Sequence, residues 1–292
     1  MSKAFNRYIK VTISSSVTGQ KLTFSQLNIK FDITKSISQI PDTCRLVIYN
    51  ISDNTRGVIS RSFDKLSIEC GYAENYGLVF TGDIFNIFHR KTPPDFVTEI
   101  YASDSVASIT QSITNVSFGP YVSELDIIDR IRRDMKLSIG EIDLRRVRFK
   151  PSGWNFCGRS SDALNELSSS SGEMGFDWYV SGGALYVLNK NTVLKSKQVY
   201  EIDALSGMVG SPTITEIGAE VKTLLNWQIT PNEEILIKSS GQVVKLSNLK
   251  FLDATKWISN GRYRVLSIRH YGESRGNSWY TYLETARDYT NA

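Results

Sequence analysis

Apolar and polar residues alternate along much of the first hundred positions. The segment Leu27–Ile33 is the clearest case, because Leu, Ile, Phe and Ile are separated there by polar residues. Such period-two alternation is typical of strands that place one face on a core. Four further segments show strand-like patterns: 46–49, 66–70, 80–88 and 96–101. Turn-forming residues at 50–55 and 71–77 lie between them, so the pattern predicts a meander or barrel of antiparallel strands.

The periodicity changes near residue 120. Ser123 with an acid three residues later is typical of a helix N-terminus, and Ile127, Ile131 and Met135 recur every four residues. This spacing predicts an amphipathic helix that starts at Ser123 and ends near Gly140.

A second, short helix is predicted to begin at Ser160 or Ser161. Alternating apolar residues on both sides of Gly182-Gly183 then predict a β-hairpin. Residues 111–189 are therefore expected to form a small α/β unit inserted between two β-rich ends.

The β pattern returns after residue 190. It predicts strands at 199–202, 220–229, 234–238, 261–270 and 279–284. The two β-rich ends resemble two versions of one architecture. We therefore expect a mainly β fold in which residues 1–110 and 207–292 each form a meander or barrel of antiparallel strands.

Composition supports a globular chain without strong nucleic-acid affinity. Of the 292 residues 41% are hydrophobic and 22% charged, and the net charge is +4. This length suits roughly two domains, and a dedicated nucleic-acid binder would have a stronger, more clustered excess of positive charge. The N-terminal Lys3, Arg7 and Lys10 do not precede an apolar core, and no run approaches about 20 apolar residues. We expect no export signal and no membrane span.

Cysteine and histidine are scarce. Cys44, Cys70 and Cys157 form no CxxC pair, so we expect three buried, reduced thiols in a protein assembled in the cytoplasm. The chain has only two histidines, so a His-rich metal site is excluded. His89 is expected to be a solvated ring at a strand end, and His270 a structural histidine rather than a general base.

No catalytic motif is present. The phosphate-loop, HExxH, EF-hand and GxSxG patterns do not occur. A glycosidase needs only two carboxylates about 5–9 Å apart, a separation that sequence does not give. The acids considered are Asp83, Asp104, Glu201, Asp203, Glu233 and Glu234. We interpret them as solvated or turn-capping residues, and predict no catalytic, cofactor-binding or metal-binding residue and no enzyme activity.

A basic cluster is the remaining candidate for binding. It contains Arg130, Arg132, Arg133, Arg145, Arg146, Arg148 and Lys150, with Phe149 among them. Cations near aromatic residues bind nucleic-acid backbones. Because the flanking segments are charge-balanced, we favour a solvated face or a docking patch for an acidic partner. We predict that the cluster faces outward or towards a protein partner, not a channel.

Short motifs in a fixed order carry a family resemblance. They are Asn50–Arg56, Gly71-Tyr72, Phe80–Asp83, Ala163-Leu164, Trp178, Gly207–Pro212, Gly218–Val221, Leu224–Asn226, Gly261–Val265, His270–Gly272 and Trp279. This order, which spans nearly the whole chain, resembles the baseplate hub proteins of tailed phages. It is also similar to the hub part of type VI secretion spike proteins. The sequence departs from the family pattern at Trp227, where Pro is frequent, and at Glu273, where Asp is frequent.

The resemblance implies a structural virion protein. Family hubs are trimers of chains with two tail-tube-like barrels, which form a pseudo-sixfold ring. The ring joins the hexameric tube or distal tail protein to a trimeric spike or central fibre. It contacts wedge proteins and passes the tape-measure protein and, transiently, DNA. The resemblance also implies that residues 190–206 complete the first barrel.

Two other functions remain open. One is a tail-associated enzyme that degrades the cell wall. The other is a carbohydrate- or receptor-binding module that stacks sugars on aromatic rings. The sequence places no aromatic triplet on one face, which weakens this last possibility.

Overall fold

Strands dominate the computed structural model, which confirms the mainly β class. The structure describes residues 6–144, 146–170, 175–189, 199–215, 217–241, 243–244 and 260–287. They fall into two compact units. The first contains the described residues of 1–36, 43–103 and 195–292, and the second contains those of 37–42 and 104–194.

The N-terminal part of the first unit is a series of strands with one helix. Its elements are β1 (Arg7–Ser14), β2 (Lys21–Phe24), β3 (Ile29–Ser36), β4 (Thr43–Tyr49), α1 (Asp53–Ser62), β5 (Lys65–Tyr72), β6 (Asn75–Thr92) and β7 (Asp95–Ser103). Each of the five strand-like segments overlaps one of the strands β3 to β7, so those predictions are confirmed.

Helix α1 was not predicted from the sequence. The stretch 50–55 was interpreted as a turn, but Ser52 caps a helix there by accepting a hydrogen bond from the Thr55 amide at 3.3 Å. Only Ile59 of this helix is buried. A helix that buries one residue has no apolar stripe to reveal it.

The second unit mixes helices and short strands. Its elements are α2 (Val106–Thr110), β8 (Ile113–Phe118), β9 (Val122–Ser123), α3 (Glu124–Asp134), β10 (Ser138–Asp143), β11 (Phe149–Lys150), β12 (Trp154–Arg159), α4 (Ser160–Ser169), β13 (Phe176–Ser181) and β14 (Ala184–Asn189). The helix at Ser160 and the hairpin at Gly182-Gly183 are confirmed. Both glycines have positive φ, +62° and +73°, as the tight turn requires.

Helix α3 starts as predicted but ends earlier. The Ser123 hydroxyl accepts from the Asp126 amide at 3.1 Å. The helix ends at Asp134 rather than near Gly140, because Lys136 adopts a left-handed conformation with φ of +57°. The amides of Lys136 and Leu137 donate back to carbonyls of the last turn, which is a Schellman termination. Gly140 lies in β10, which pairs in parallel with β14.

The C-terminal part of the first unit returns to strands. They are β15 (Tyr200–Ile202), β16 (Thr213–Ile214), β17 (Gly218–Leu224), β18 (Glu234–Ile237), β19 (Val243–Val244), β20 (Gly261–Glu273) and β21 (Trp279–Arg287). Every strand predicted here overlaps an observed one. The segment 220–229 was predicted too long, because β17 stops at Leu224.

One continuous sheet joins both ends of the chain. Its main strand order is β19-β16-β17-β21-β20-β3-β4-β7-β6-β5-β1-β2. The ends meet where β20 pairs antiparallel with β3, from Ser267 opposite Ser36 to Glu273 opposite Lys30. Closure of each end into a barrel stays a prediction.

The segment 190–206 was expected to complete the first barrel. Its described strand, Tyr200–Ile202, pairs in parallel with β18, which pairs with β20. It therefore associates with C-terminal strands. Residues 190–198 lie outside the described residues, and their part of the expectation stays a prediction.

Three apolar cores lie behind these elements. The first is formed by the apolar faces of β1 to β7, and it includes Leu225 and Trp279 of the C-terminal part. The second fills the inserted unit, where α3 and α4 cover β13 and β14. The third lies among β15 to β21, with Tyr263 at its largest buried position. The opposite face of the long sheet carries ion pairs and aromatic side chains and contains the candidate site.

Candidate functional site

The exposed face of the long sheet is organised by ion pairs between neighbouring strands. Arg269 on β20 holds Asp32 on β3 through two hydrogen bonds, Nε to Oδ1 at 2.7 Å and Nη2 to Oδ2 at 2.6 Å. This bidentate geometry is the strongest that a guanidinium makes with a carboxylate. The pair lies on the strands that join the two β-rich ends.

Glu99 is the centre of a second network on this face. Its carboxylate is buried between the guanidinium groups of Arg45 and Arg90, and Tyr101 donates to Oε2 at 3.1 Å. Burial alone would raise the pKa of Glu99, but the hydrogen bonds from Arg45 and Tyr101 and the charges of Arg45 and Arg90 lower it overall. The buried carboxylate therefore compensates the charge of two arginines that are themselves exposed.

An aromatic cluster lies beside this network. Phe85 and Phe88 on β6 are 65% and 51% exposed. Their rings lie 6.3 and 5.9 Å from the ring of Tyr101 on β7. Phe85 is the extra residue of a β-bulge, since Ile84 and Asn86 face consecutive residues of β7. The bulge brings all three rings to one face, an arrangement that sequence reasoning missed because the bulge breaks the alternation.

A second aromatic cluster lies on β17 and β21. The Lys222 ammonium is 3.8 Å from the ring centroid of Tyr280 and 5.5 Å from that of Tyr282, distances typical of cation–π contacts. A groove of about 350 Å³ runs beside it. Its polar lining includes Ser211, Thr213, Glu220, Lys222, Arg269 and Glu284.

The family motifs hold the sheet together. Asn50 has φ of +58°, and its side chain bonds both the Asp95 carboxylate and the Phe96 amide. Trp227 lies against Gly77, where a β-carbon would come within 2.3 Å of the indole, and it donates to Asn75 Oδ1 at 2.7 Å. These contacts are structural.

Glu273, the other departure from the family pattern, also has a structural role. Its carboxylate accepts from the Tyr271 hydroxyl at 3.1 Å and pairs with Lys30 at 3.1 Å.

The acids considered as catalytic have structural partners. Asp83 pairs with Lys65, Glu201 with Lys238, and Glu234 with Arg262. Asp203 accepts from the Ser206 amide, Glu233 from the Thr230 amide, and Asp104 from the Gly183 amide. Burial raises the pKa of Glu233. Asp203 and Glu233 thus stabilise local turns, as interpreted from the sequence, whereas three of the other acids form ion pairs and Asp104 is buried. That none of the six is catalytic stays a prediction.

The two histidines differ from one another. His270 is buried, and its Nδ1 lies 2.9 Å from the Thr281 hydroxyl. Burial, with the nearby charge of Lys35, lowers its pKa to about 3, so the ring is neutral. His89 is exposed, as expected from the sequence, and its ring nitrogens also contact the hydroxyls of Ser60 and Thr98 at 2.8 and 3.0 Å.

The cysteine prediction is wrong at one position. Cys44 and Cys70 are buried and free, and burial raises the pKa of both thiols. Cys157 is exposed, since its strand β12 pairs with β8 in a two-stranded sheet. A two-stranded sheet leaves part of its surface uncovered.

Within the described residues, no group of three or more His, Cys, Asp or Glu side chains is arranged to hold a metal ion. None of the helices in that part of the chain is long and apolar enough to cross a membrane.

Most cations of the basic cluster are paired within the inserted unit. Arg130 pairs with Asp134, while Arg132 and Arg133 share Asp129. Arg148 lies 2.9 Å from the buried carboxylate of Glu124 on α3, and Lys150 donates to the Ser170 hydroxyl at 2.9 Å. Arg145 lies outside the described residues. The direction in which the cluster faces within an assembly stays a prediction.

Solved structures with the same fold come from phage tails and related machines. A tail protein from Neisseria meningitidis MC58 is 11% identical, with 97% of each chain covered and a TM-score of 0.62. The 43 kDa tail protein of prophage MuSo2 from Shewanella oneidensis is 10% identical, with the same coverage and TM-score. The E. coli c3393 protein, a type VI secretion component, is 11% identical over 96% of this chain and 77% of its own, with a TM-score of 0.56. These similarities show that the chain has a fold found in phage tail proteins.

The family follows from a separate comparison. The model of the family described as "Baseplate hub gp41" matches residues 8–242, and the chain belongs to this family. It is therefore a structural protein of a bacteriophage tail baseplate, as the family resemblance indicated. No curated protein matches the chain at a significant level.

Proposed function

We propose that the chain assembles as a trimer and forms a pseudo-sixfold ring that joins the tail tube to the spike. The observation that carries this proposal is the single sheet shared by both β-rich ends, in a chain of a baseplate hub family. Three such chains supply six β-rich ends, which matches a sixfold tube on one side and a threefold spike on the other.

The edges of the sheet support cyclic assembly. In the described strand order, β2 and β19 stand at the ends of the main path, and β15 ends a branch that pairs through β18. Open strand edges promote uncontrolled pairing with other chains. Pairing of unlike edges between neighbouring chains covers them, and a closed ring ends the association.

The exposed sheet face is suited to line a channel. DNA is held by clusters of uncompensated cations, since each phosphate contact adds affinity. On this face Arg269 is paired with Asp32, and Arg45 and Arg90 share Glu99. In our proposal the tape-measure protein and then DNA pass this surface without specific binding.

Partners above and below the ring complete the proposal. We place the tail tube or distal tail protein on one side, the spike or central fibre on the other, and wedge proteins around the hub. The E. coli c3393 protein is described as a type VI secretion component similar to the phage T4 tail proteins gp27 and gp5. We propose assembly in the host cytoplasm and incorporation into the virion tail.

Stoichiometry tests the ring. Native mass spectrometry of the full chain is expected to give three times 32.9 kDa, and electron microscopy a ring. If the isolated chain is monomeric, it is mixed with its spike protein and its mass is measured again. Its copy number is also counted in intact tail particles. Any copy number other than three at the tail tip contradicts the trimer.

We further propose that the hub acts through mutual fit and not through catalysis. Large, permanent interfaces resemble a domain core cut in half and need no reactive group. A peptidoglycan zymogram is expected to show no clearing by the full chain. Clearing that disappears in Asp83→Asn or Asp104→Asn would contradict this and favour a wall-degrading enzyme.

The aromatic cluster favours one alternative, carbohydrate binding. Phe85 and Phe88 are exposed, and with the partly buried Tyr101 they form an aromatic triplet on one face. Retention of the full chain on host surface glycans, lost in Phe85→Ala/Phe88→Ala, supports this second function. Equal retention of both proteins, or of neither, counts against it.

A further inference from the structure

Strand β6 has an open edge along its second half. Strand β5 pairs with β6 only as far as Asp83. The next residue is still held, because the Ile84 amide donates to the Asp64 carbonyl at 2.8 Å. Over residues 85–92, β6 pairs with β7 alone among the described strands. The long sheet therefore has an open edge here in addition to those at β2 and β19.

The register shows which backbone groups point to this edge. The Asn50 amide donates to the Phe96 carbonyl at 2.7 Å, so Phe96 bonds towards β4 and not towards β6. Lys91 lies opposite Phe96, so its own amide and carbonyl point away from β7. Bonded and non-bonded pairs alternate along an antiparallel ladder, so the backbones of His89 and Ile87 point the same way. These residues offer a row of donors and acceptors to which an extended segment can bond.

Exposed aromatic side chains lie along the same edge. Phe85 and Phe88 are 65% and 51% exposed, and both rings lie close to that of Tyr101 on β7. An edge strand with exposed apolar residues tends to pair with another chain unless it has a native partner. A strand added to β6 would place alternate side chains beside these rings. The edge thus provides both main-chain bonding and an apolar surface.

Uncompensated positive charge lies beside the aromatic rings. Phe88 stands opposite Glu99 in the register, and Arg90 pairs with Glu99. Phe88 and Arg90 are two positions apart on one strand, so their side chains lie on the same face. Arg45 pairs with the same carboxylate, so two guanidinium groups share one negative charge. Arg90 is on the edge strand itself, and its side chain is 61% exposed, so it is accessible to an incoming strand.

We propose that an extended segment of another tail protein adds a strand to β6 along residues 85–92, with an apolar side chain beside Phe88 and a carboxylate beside Arg90. These two side chains are two positions apart in the partner strand, as Phe88 and Arg90 are in β6. A second copy of this chain fits less well, because the edges at β2 and β19 join neighbouring copies in the proposed ring. The inference rests on the proposed function in this assignment alone.

Site-specific photo-crosslinking in intact phage particles tests the proposal. A benzophenone amino acid replaces Asn86 in one variant and Thr81 in the control. Both side chains are exposed and lie on β6, but β5 covers the edge at Thr81, which stands opposite Ser67. Position 86 is expected to crosslink to a different tail protein, in a peptide with an apolar residue and an acid two positions apart. The control is expected not to capture that peptide.

The other outcomes overturn the proposal. They are a crosslink to a second copy of this chain, a crosslink to DNA, a peptide without that pair of residues, equal capture at both positions, and no crosslink. The copy number at the tail tip is counted in the same particles. A trimer with a crosslink to a second copy removes the docking site and keeps the ring. Another copy number with the expected crosslink removes the ring alone.

A proline at the edge separates backbone pairing from side-chain contact. Lys91→Pro removes an amide that points away from β7, so the hairpin keeps its own hydrogen bonds. The change is expected to lower the crosslink yield at position 86 by about tenfold, because the partner strand loses a donor and meets the proline ring. Lys91→Ala keeps the amide and is expected to retain most of the yield. The melting temperature of the full chain is expected to be similar in both variants, and equal yields contradict strand addition.

Removal of the Arg90 charge tests the contact with a carboxylate. Arg90→Gln is expected to lower the crosslink yield at position 86 by about threefold, because the acid of the partner loses its cation. Arg61→Gln is the control, since Arg61 is exposed on α1 and not on the edge strand. It is expected to leave the yield unchanged. Equal yields in these two variants contradict the charge complementarity.

Discussion

The indole Nε1 of Trp279 donates a hydrogen bond to the carbonyl oxygen of Gly71 at 3.2 Å, across 208 residues of chain. The ring is buried and packs edge-on against Phe31, with centroids 5.2 Å apart. Strand β21, the last in the described residues, therefore helps to complete the core of the first strands. Stability of the N-terminal part depends on residues near the C-terminus.

Replacing Trp279 tests this dependence. Trp279→Phe is expected to lower the free energy of unfolding by about 1–3 kcal/mol, because it leaves the buried carbonyl without its donor. Trp279→Ala is expected to cost about 3–5 kcal/mol through the cavity it creates. Urea unfolding measures both. Tyr282→Phe on the same strand is the control, expected within about 0.5 kcal/mol. A Trp279→Phe value as small as the control's would show that the hydrogen bond contributes little.

Gly272 is expected to tolerate no side chain. A β-carbon there would lie 2.4 Å from the Phe31 ring and 2.7 Å from that of Trp279. Gly272→Ala is expected to destabilise by about 1–3 kcal/mol through overpacking. Gly57→Ala is the matched control, because nothing lies within 4 Å of its β-carbon and it sits in α1. That change is expected to stabilise by about 0.5–1 kcal/mol. Equal effects in the two variants would contradict the packing argument.

Because His270 is buried and neutral, we expect mild acidification to lower the free energy of unfolding. Its pKa in the folded chain is about 3, against roughly 6.5 in the unfolded chain. As the pH falls below 6.5 the unfolded state takes up a proton and the folded state does not. The contribution of His270 to the free energy of unfolding is therefore complete above about pH 6.5. Below that pH it decreases by up to about 1.4 kcal/mol per pH unit.

Urea unfolding between pH 7 and pH 5 measures this slope. His270→Gln is expected to flatten it, although the variant starts from a lower stability. His89→Gln is the comparison variant, because burial and Arg56 lower the pKa of His89 as well, and it measures the part of the slope that does not come from His270. The prediction fails if the wild-type slope persists in His270→Gln.

Within the basic cluster, Arg148 is expected to be the structural residue. Arg148→Met leaves the buried carboxylate of Glu124 without its guanidinium and is expected to cost about 3 kcal/mol. Arg146→Met removes an exposed charge and is expected to change stability by less than about 0.5 kcal/mol. Thermal and urea unfolding compare the two. Similar losses would mean that the Glu124 pair is not the stabilising feature.

Local signals were read correctly from the sequence. The cap at Ser123 and the turn at Gly182-Gly183 involve residues within a few positions of each other, so short patterns specify them. Alternation likewise identified strands β3 to β7, because side-chain direction in a strand depends only on position along it.

Local features without a marked pattern were missed. Helix α1 buries one residue, and α3 ends at Asp134 because Lys136, which is not a glycine, adopts the left-handed conformation just after it. The exposure of Cys157 depends on the partners of β12, which the residues of that strand do not specify.

The sequence by itself determined the class of fold, the strands and the order of the family motifs. Only the tertiary structure decided which strands are neighbours, and hence that Arg269 meets Asp32 and that Phe85, Phe88 and Tyr101 share a face. The physical reason is that alternation gives the face of each residue but not its partner strand. Partners and bulges are selected by packing between segments far apart in the chain.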